Sequence, residues 1–121
     1  IKLGVSAAFH SKLMEEAAQE LKEAVSGIPF AEPAVPFFSN VTGDQNADLS
    51  DMPSYFYRHM ISPVRFTDEL THMREAGPSV FVELGPGKVL TGLVKKTLKG
   101  MPVMYIENMK TLGKVVESLS L

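Results

Sequence analysis

Ser79-Val80-Phe81-Val82-Glu83-Leu84-Gly85-Pro86-Gly87-Lys88 is the stretch whose reading decides the fold. Ser79 to Leu84 is almost wholly apolar (Val80, Phe81, Val82, Leu84), the pattern of a strand covered on both faces. Gly85-Pro86-Gly87 then makes a tight turn into a helical pattern from Lys88 to Lys99, which Gly100 and Pro102 close. Val103 to Ile106 is a second buried strand. A strand, a helix and another strand joined so closely read as a crossover between parallel strands. The fold class is therefore α/β, with a largely parallel sheet.

The flanking sequence continues the alternation. Downstream, Leu112, Val115, Val116 and Leu119 mark the inward face of a helix over about Lys110 to Leu119. Upstream, Gly77-Pro78 ends a helical pattern carrying Phe66, Leu70 and Met73 on one face, and Pro63 separates it from a short helix. That short helix runs to Met60, with Ser50 or Asp51 as its cap. The stretch Gln45 to Pro53 reads as loop. Val35 to Val41 is β-branched and aromatic, bracketed by prolines and by the turn Thr42-Gly43-Asp44, and reads as a strand. From Ser11 to Val25 the apolar residues Met14, Ala17, Ala18, Leu21, Ala24 and Val25 share one helical face. Ile1 to Val5 reads as a strand, so the chain begins inside an element and is expected to be part of something longer.

Bulk composition narrows the function. The 121 residues are 45% hydrophobic and 21% charged, the balance of a globular domain and not of a disordered one. A net charge of -2 gives no electrostatic reason to expect nucleic acid or an anionic membrane as partner. No apolar run approaches the ~20 residues that span a bilayer. Cysteine is absent, which excludes disulfides, thiolate catalysis and thiolate metal sites, and fits a reducing compartment.

The histidines are the first candidates for chemistry. His10 lies at a strand-to-helix junction, where open α/β sheets place ligands, and histidine is the side chain whose unperturbed pKa suits a general base. The alternative is a half-buried histidine that caps the following helix. His59 and His72 each read as surface or packing residues, and no HxxxH or HxxE spacing supports a metal site. Gly85-Pro86-Gly87-Lys88 lacks the spacing of a phosphate-cradling loop and reads as a turn. Lys88, Lys95, Lys96 and Lys99 read as a solvated helix face, with a docking patch for an acidic partner as the alternative. No serine lies in a GxSxG elbow, so none has a claim to be a nucleophile.

Four segments, in order and spacing, resemble those of bacterial malonyl-CoA:acyl-carrier-protein transacylases. They are Val5 to Met14 (VSAAFHSKLM), Val35 to Gly43 (VPFFSNVTG), Ser62 to Phe66 (SPVRF) and Glu83 to Leu93 (ELGPGKVLTGL). The chain resembles the C-terminal portion of that acyltransferase family. The resemblance implies part of an α/β-hydrolase-like large subdomain, beginning at the last strand of an inserted ferredoxin-like subdomain. Residues 1–9 would close that insert and return to the large subdomain, and residues 10–121 would be its C-terminal part. The family's GHSxG serine and carboxylate-binding arginine would then lie upstream of Ile1, and the chain alone would be inactive.

The activity so implied is transfer of a malonyl group from coenzyme A to the phosphopantetheine thiol of acyl carrier protein, through a serine-bound acyl-enzyme. It needs no metal and no cofactor, and belongs in the cytoplasm. The implied partners are malonyl-CoA, acyl carrier protein and the missing N-terminal portion, with no nucleic acid and no membrane. His10 becomes the general base. His59, where bacterial relatives commonly have glutamine, orients it through a backbone carbonyl. Phe9, before the histidine, crowds the substrate α-carbon and favours malonyl over methylmalonyl. An acyltransferase of a polyketide synthase remains an alternative, as does a non-catalytic α/β module that binds a partner through a sheet edge and the lysine helix.

Overall fold

The computed structural model describes Gly4, residues 7–45 and residues 49–120; the strand expected over Ile1 to Val5 lies outside them. The fold is mixed α/β and comprises two compact units, Ile1–His72 and Met73–Leu121. Among the described residues no helix is long and apolar enough to cross a membrane.

In the first unit Ser11 starts the helical structure. Its Oγ accepts the Leu13 amide at 3.3 Å and donates to the Ala8 carbonyl at 2.7 Å. A short helical turn over Lys12–Met14 leads into α1, Glu15–Val25, whose first turn carries Glu15 and Glu16 where the macrodipole favours negative charge. The apolar stripe of α1 buries Ala18 completely and packs on α2, Met52–Ile61. Tyr57 Oη ties the two helices by donating to Glu15 Oε1 at 2.9 Å. Of the two caps expected for α2 the structure uses Asp51, whose carboxylate accepts the Ser54 amide at 3.0 Å.

The strand expected over Val35 to Val41 is much shorter. Only β1, Phe38–Ser39, pairs, antiparallel to β2, Asp44–Gln45. Pro33 and Pro36 have no amide hydrogen to give a ladder, and the preceding residues lie outside any strand. At the turn, Gly43 has a φ of 72° and donates its amide to Ser39 O at 2.7 Å. A Cβ there would stand 2.8 Å from Asp68 Cβ and 3.2 Å from Arg65 Cβ. Glycine alone meets both the dihedral and the close approach of α3, Phe66–Glu75. The Arg65 amide donates to Asn40 O at 3.0 Å, so the VPFFSNVTG and SPVRF segments are joined through their backbones.

The core of this unit is aromatic. Tyr55 is 6% exposed and meets Phe37 and Phe56 edge-on, at centroid distances of 5.9 and 5.8 Å. Its hydroxyl accepts from Ser39 Oγ at 3.1 Å, and the same Oγ accepts the Val41 amide at 3.1 Å. Ser39 is wholly buried, yet its hydroxyl is satisfied.

The second unit holds β3, Phe81–Leu84; α4, Val89–Thr97; β4, Val103–Ile106; and α5, Met109–Leu119. The expected parallel pairing is present, with Phe81 opposite Val103 and Leu84 opposite Ile106. Strand β3 is shorter than the sequence suggests and half-buried instead of covered on both faces, and Leu84 is 75% exposed. Among the described residues this sheet has two strands, which leaves its faces open. For the same reason α5 buries Val115 fully and Leu112 in part, while Val116 and Leu119, expected inward, are exposed. A capping box between Asn108 and Thr111 starts that helix.

Gly85 and Gly87 take φ values of 139° and 84°, which fits the Gly-Pro-Gly turn to glycine. The N-terminus of α4 holds no vacancy for a phosphate: the Glu83 carboxylate accepts the Leu90 amide at 3.1 Å and the Thr91 amide at 2.7 Å. The turn is structural, and the chain supplies its own anion. Lys88 Nζ lies 4.4 Å from the Tyr105 ring centroid, a cation–π contact within the same unit.

Candidate active site

His10 has a φ of 58°, in the left-handed region. Among the described residues only Ser120 shares a positive φ with a side chain, and Ser120 sits at the end of α5, where helices commonly terminate in that way. His10 precedes a helix, where no terminal geometry calls for it. Backbone strain of this kind gathers at functional sites. The strained residue separates two tasks. Ser11 caps the helix, not His10, and the imidazole is released for another contact.

That contact is with His59. His10 Nδ1 lies 3.1 Å from the His59 carbonyl oxygen, across 49 positions of sequence. A carbonyl only accepts, so Nδ1 carries the hydrogen and Nε2 the lone pair. The ring is half-buried and its tautomer is set by backbone, leaving Nε2 as the nitrogen able to take a proton.

His59 stands near the end of α2. Its ring meets His10 edge-on, with centroids 5.4 Å apart and planes at 85°. On its other side lies Tyr55, 6.0 Å away and one helical turn earlier. Burial, and then the charge on His10, hold the His59 pKa below the usual histidine value. Both causes disfavour a second positive charge beside His10. Phe9, beside the pair in sequence, is 57% exposed and therefore no core residue here.

His72 is elsewhere. Its Nδ1 donates to the Gly43 carbonyl at 2.6 Å and lies 3.8 Å from Asp44 Oδ1, tying α3 to the β1–β2 turn. Among the described residues no group of three or more His, Cys, Asp or Glu could hold a metal ion. Tyr55 and Ser39 were missed as support for the histidine pair. A signal for Tyr55 was available, because it precedes His59 by four positions and so shares its helix face.

A family profile for the acyl transferase domain matches residues 2–118. The malonyl CoA-acyl carrier protein transacylase of Bacillus subtilis is 35% identical over 119 residues, which covers 98% of this chain and 38% of that protein. Polyketide synthase GfsB of Streptomyces halstedii is 40% identical over 116 residues, 90% of this chain and 2% of that one. The crystal structure of malonyl CoA-acyl carrier protein transacylase from Clostridium perfringens superimposes with a TM-score of 0.92 at 33% identity, covering 99% of this chain and 38% of that chain. The chain thus spans just over a third of the length of the discrete transacylases it resembles, and it belongs to the acyl transferase domain family.

Proposed function

We propose that this chain provides the general base of a malonyl-transferring enzyme, and that His10 is that base. The observation that carries the reading is the bond from His10 Nδ1–H to the His59 carbonyl, which leaves Nε2 basic and directed by the fold. A serine hydroxyl is a poor nucleophile until a base within reach removes its proton. In this reading the serine, and an arginine for the malonyl carboxylate, belong to a part of the enzyme outside these 121 residues. The chain's coverage of 38% of its transacylase relatives supports that division. Residues 1–9 then close a ferredoxin-like insert, and residues 10–121 complete an α/β-hydrolase-like subdomain in the cytoplasmic enzyme.

The steps follow from one nitrogen. Nε2 takes the serine proton as the oxygen attacks the malonyl thioester carbonyl, and the imidazolium returns a proton to the departing coenzyme A thiolate. The malonyl group then rests on serine. Nε2 next takes the proton of the phosphopantetheine thiol of acyl carrier protein, the thiolate attacks the ester, and serine leaves with the proton. The depressed pKa of His59 disfavours a second positive charge beside the imidazolium.

The 40% identity to a polyketide synthase supports a second reading, in which the same chemistry loads a polyketide carrier protein. The test common to both is His10→Ala in the complete enzyme, assayed for malonyl transfer. The expected kcat falls roughly 10²–10⁴-fold with folding unchanged. Full activity in that variant overturns the assignment and leaves a partner-binding module as the better reading.

A further inference from the structure

The carbonyl that holds His10 is open because of a proline. In an α-helix the carbonyl of each residue accepts the amide hydrogen four positions on. Four positions after His59 stands Pro63, which has none. Helix α2 stops at Ile61, and Ser62 is extended, with φ −103° and ψ 148°, the conformation that proline imposes on the residue before it. Beyond the proline, the next amide to engage is that of Arg65, and it donates to Asn40 O at 3.0 Å. On the near side, α2 is pinned by the buried Tyr55–Ser39 hydrogen bond. The His59 oxygen is thus left at a fixed helix end, and it accepts from His10 Nδ1.

We propose that Pro63 is a positioning residue for the proton transfer. By lacking an amide hydrogen and by stopping α2, it keeps the His59 carbonyl open to His10 Nδ1–H and so fixes Nε2 as the basic nitrogen. The proposal rests on the reading of His10 as base. Pro63 touches no reacting atom in this account. It acts through His59.

The experiment is Pro63→Ala in the complete enzyme, read by steady-state kinetics and by the side-chain ¹⁵N shifts of His10. The restored amide lets α2 continue and competes for the His59 carbonyl. The expected result is a mixed His10 tautomer and a kcat lowered roughly 10–100-fold with KM little changed. Replacement by N-methylalanine, which lacks the amide hydrogen but has no ring, restores both the single tautomer and kcat, and remains available where Pro63→Ala does not fold. A single Nδ1–H tautomer in Pro63→Ala overturns the proposal, whether kcat is kept or lost, because any defect is then merely structural. Loss of the tautomer in the N-methylalanine protein also overturns it, since the ring and not the missing hydrogen would be responsible. Failure of the base assignment is separate, because it appears as an active His10→Ala enzyme.

Discussion

The Glu83 carboxylate accepts the amide hydrogen of Thr91 at 2.7 Å and that of Leu90 at 3.1 Å, so the acid of β3 caps the helix that follows it. Hydrogen bonds, first from the Thr91 side chain and then from the amides of Thr91, Leu90 and Val89, hold its pKa below the ordinary 4.5. A depressed folded pKa stabilises above the unfolded value and loses that contribution as pH falls through the folded one. Glu83→Gln is expected to lower the thermal midpoint at neutral pH and to flatten its dependence on pH below about 5. Amide exchange in the first turn of α4 should rise with it. An unchanged exchange rate at Leu90 and Thr91 would show that the cap contributes nothing.

Gly43 combines a φ of 72° with an approach that would put a Cβ 2.8 Å from Asp68 Cβ. Gly43→Ala must strain the turn and displace α3 together. A loss of about 1–3 kcal/mol in urea unfolding is expected. The clash involves Cβ atoms and no flexible chain end, so relaxation has little room. A loss below about 0.5 kcal/mol, the range of neutral surface changes, would mean the hairpin shifts freely.

Glu69 is 5% exposed, and its Oε2 has no hydrogen-bond partner among the described residues. Burial raises its pKa above 4.5. A raised folded pKa stabilises below the unfolded value, and the contribution is lost as pH rises through the folded one. A carboxylate whose Oε2 is buried without a partner is a liability wherever the group is charged. Glu69→Leu is expected to stabilise the protein by about 1–3 kcal/mol at neutral pH, with the gain shrinking in acid. Denaturation at two pH values measures both.

Under the proposed function, Phe9→Ser in the complete enzyme tests whether this residue sets selectivity. With the ring gone, methylmalonyl-CoA should gain on malonyl-CoA by roughly 10–100-fold in kcat/KM, the worth of one methyl group in a pocket. The two thioesters compared side by side give the ratio. No change would assign the exposed ring to another surface role.

Much of the chain was legible because its decisive signals are local. The apolar run before Gly85 and the alternation beyond it give a parallel crossover, and β3 and β4 pair as such. The Val35 to Val41 run gives a shorter strand than its β-branched and aromatic character suggests, because Pro36 within it has no amide to give a ladder. Burial was over-read in β3 and α5 because a one-dimensional apolar pattern does not report how wide a sheet it will join. His10 was legible as a candidate from its junction. Its left-handed backbone was not, because histidine has no propensity strong enough to announce one. The bond to His59 spans 49 positions and had no local trace beyond the family resemblance.

The dihedral at His10 has a consequence for how its variants rank in stability. In helices and strands alanine is the more stabilising choice and glycine the looser one. At φ 58° the order should invert, because a Cβ in the left-handed region costs about 1–2 kcal/mol and glycine has none. His10→Gly should therefore melt later than His10→Ala, although both lack the imidazole. The difference in heat resistance between the two variants would measure the tension that the native backbone keeps at position 10.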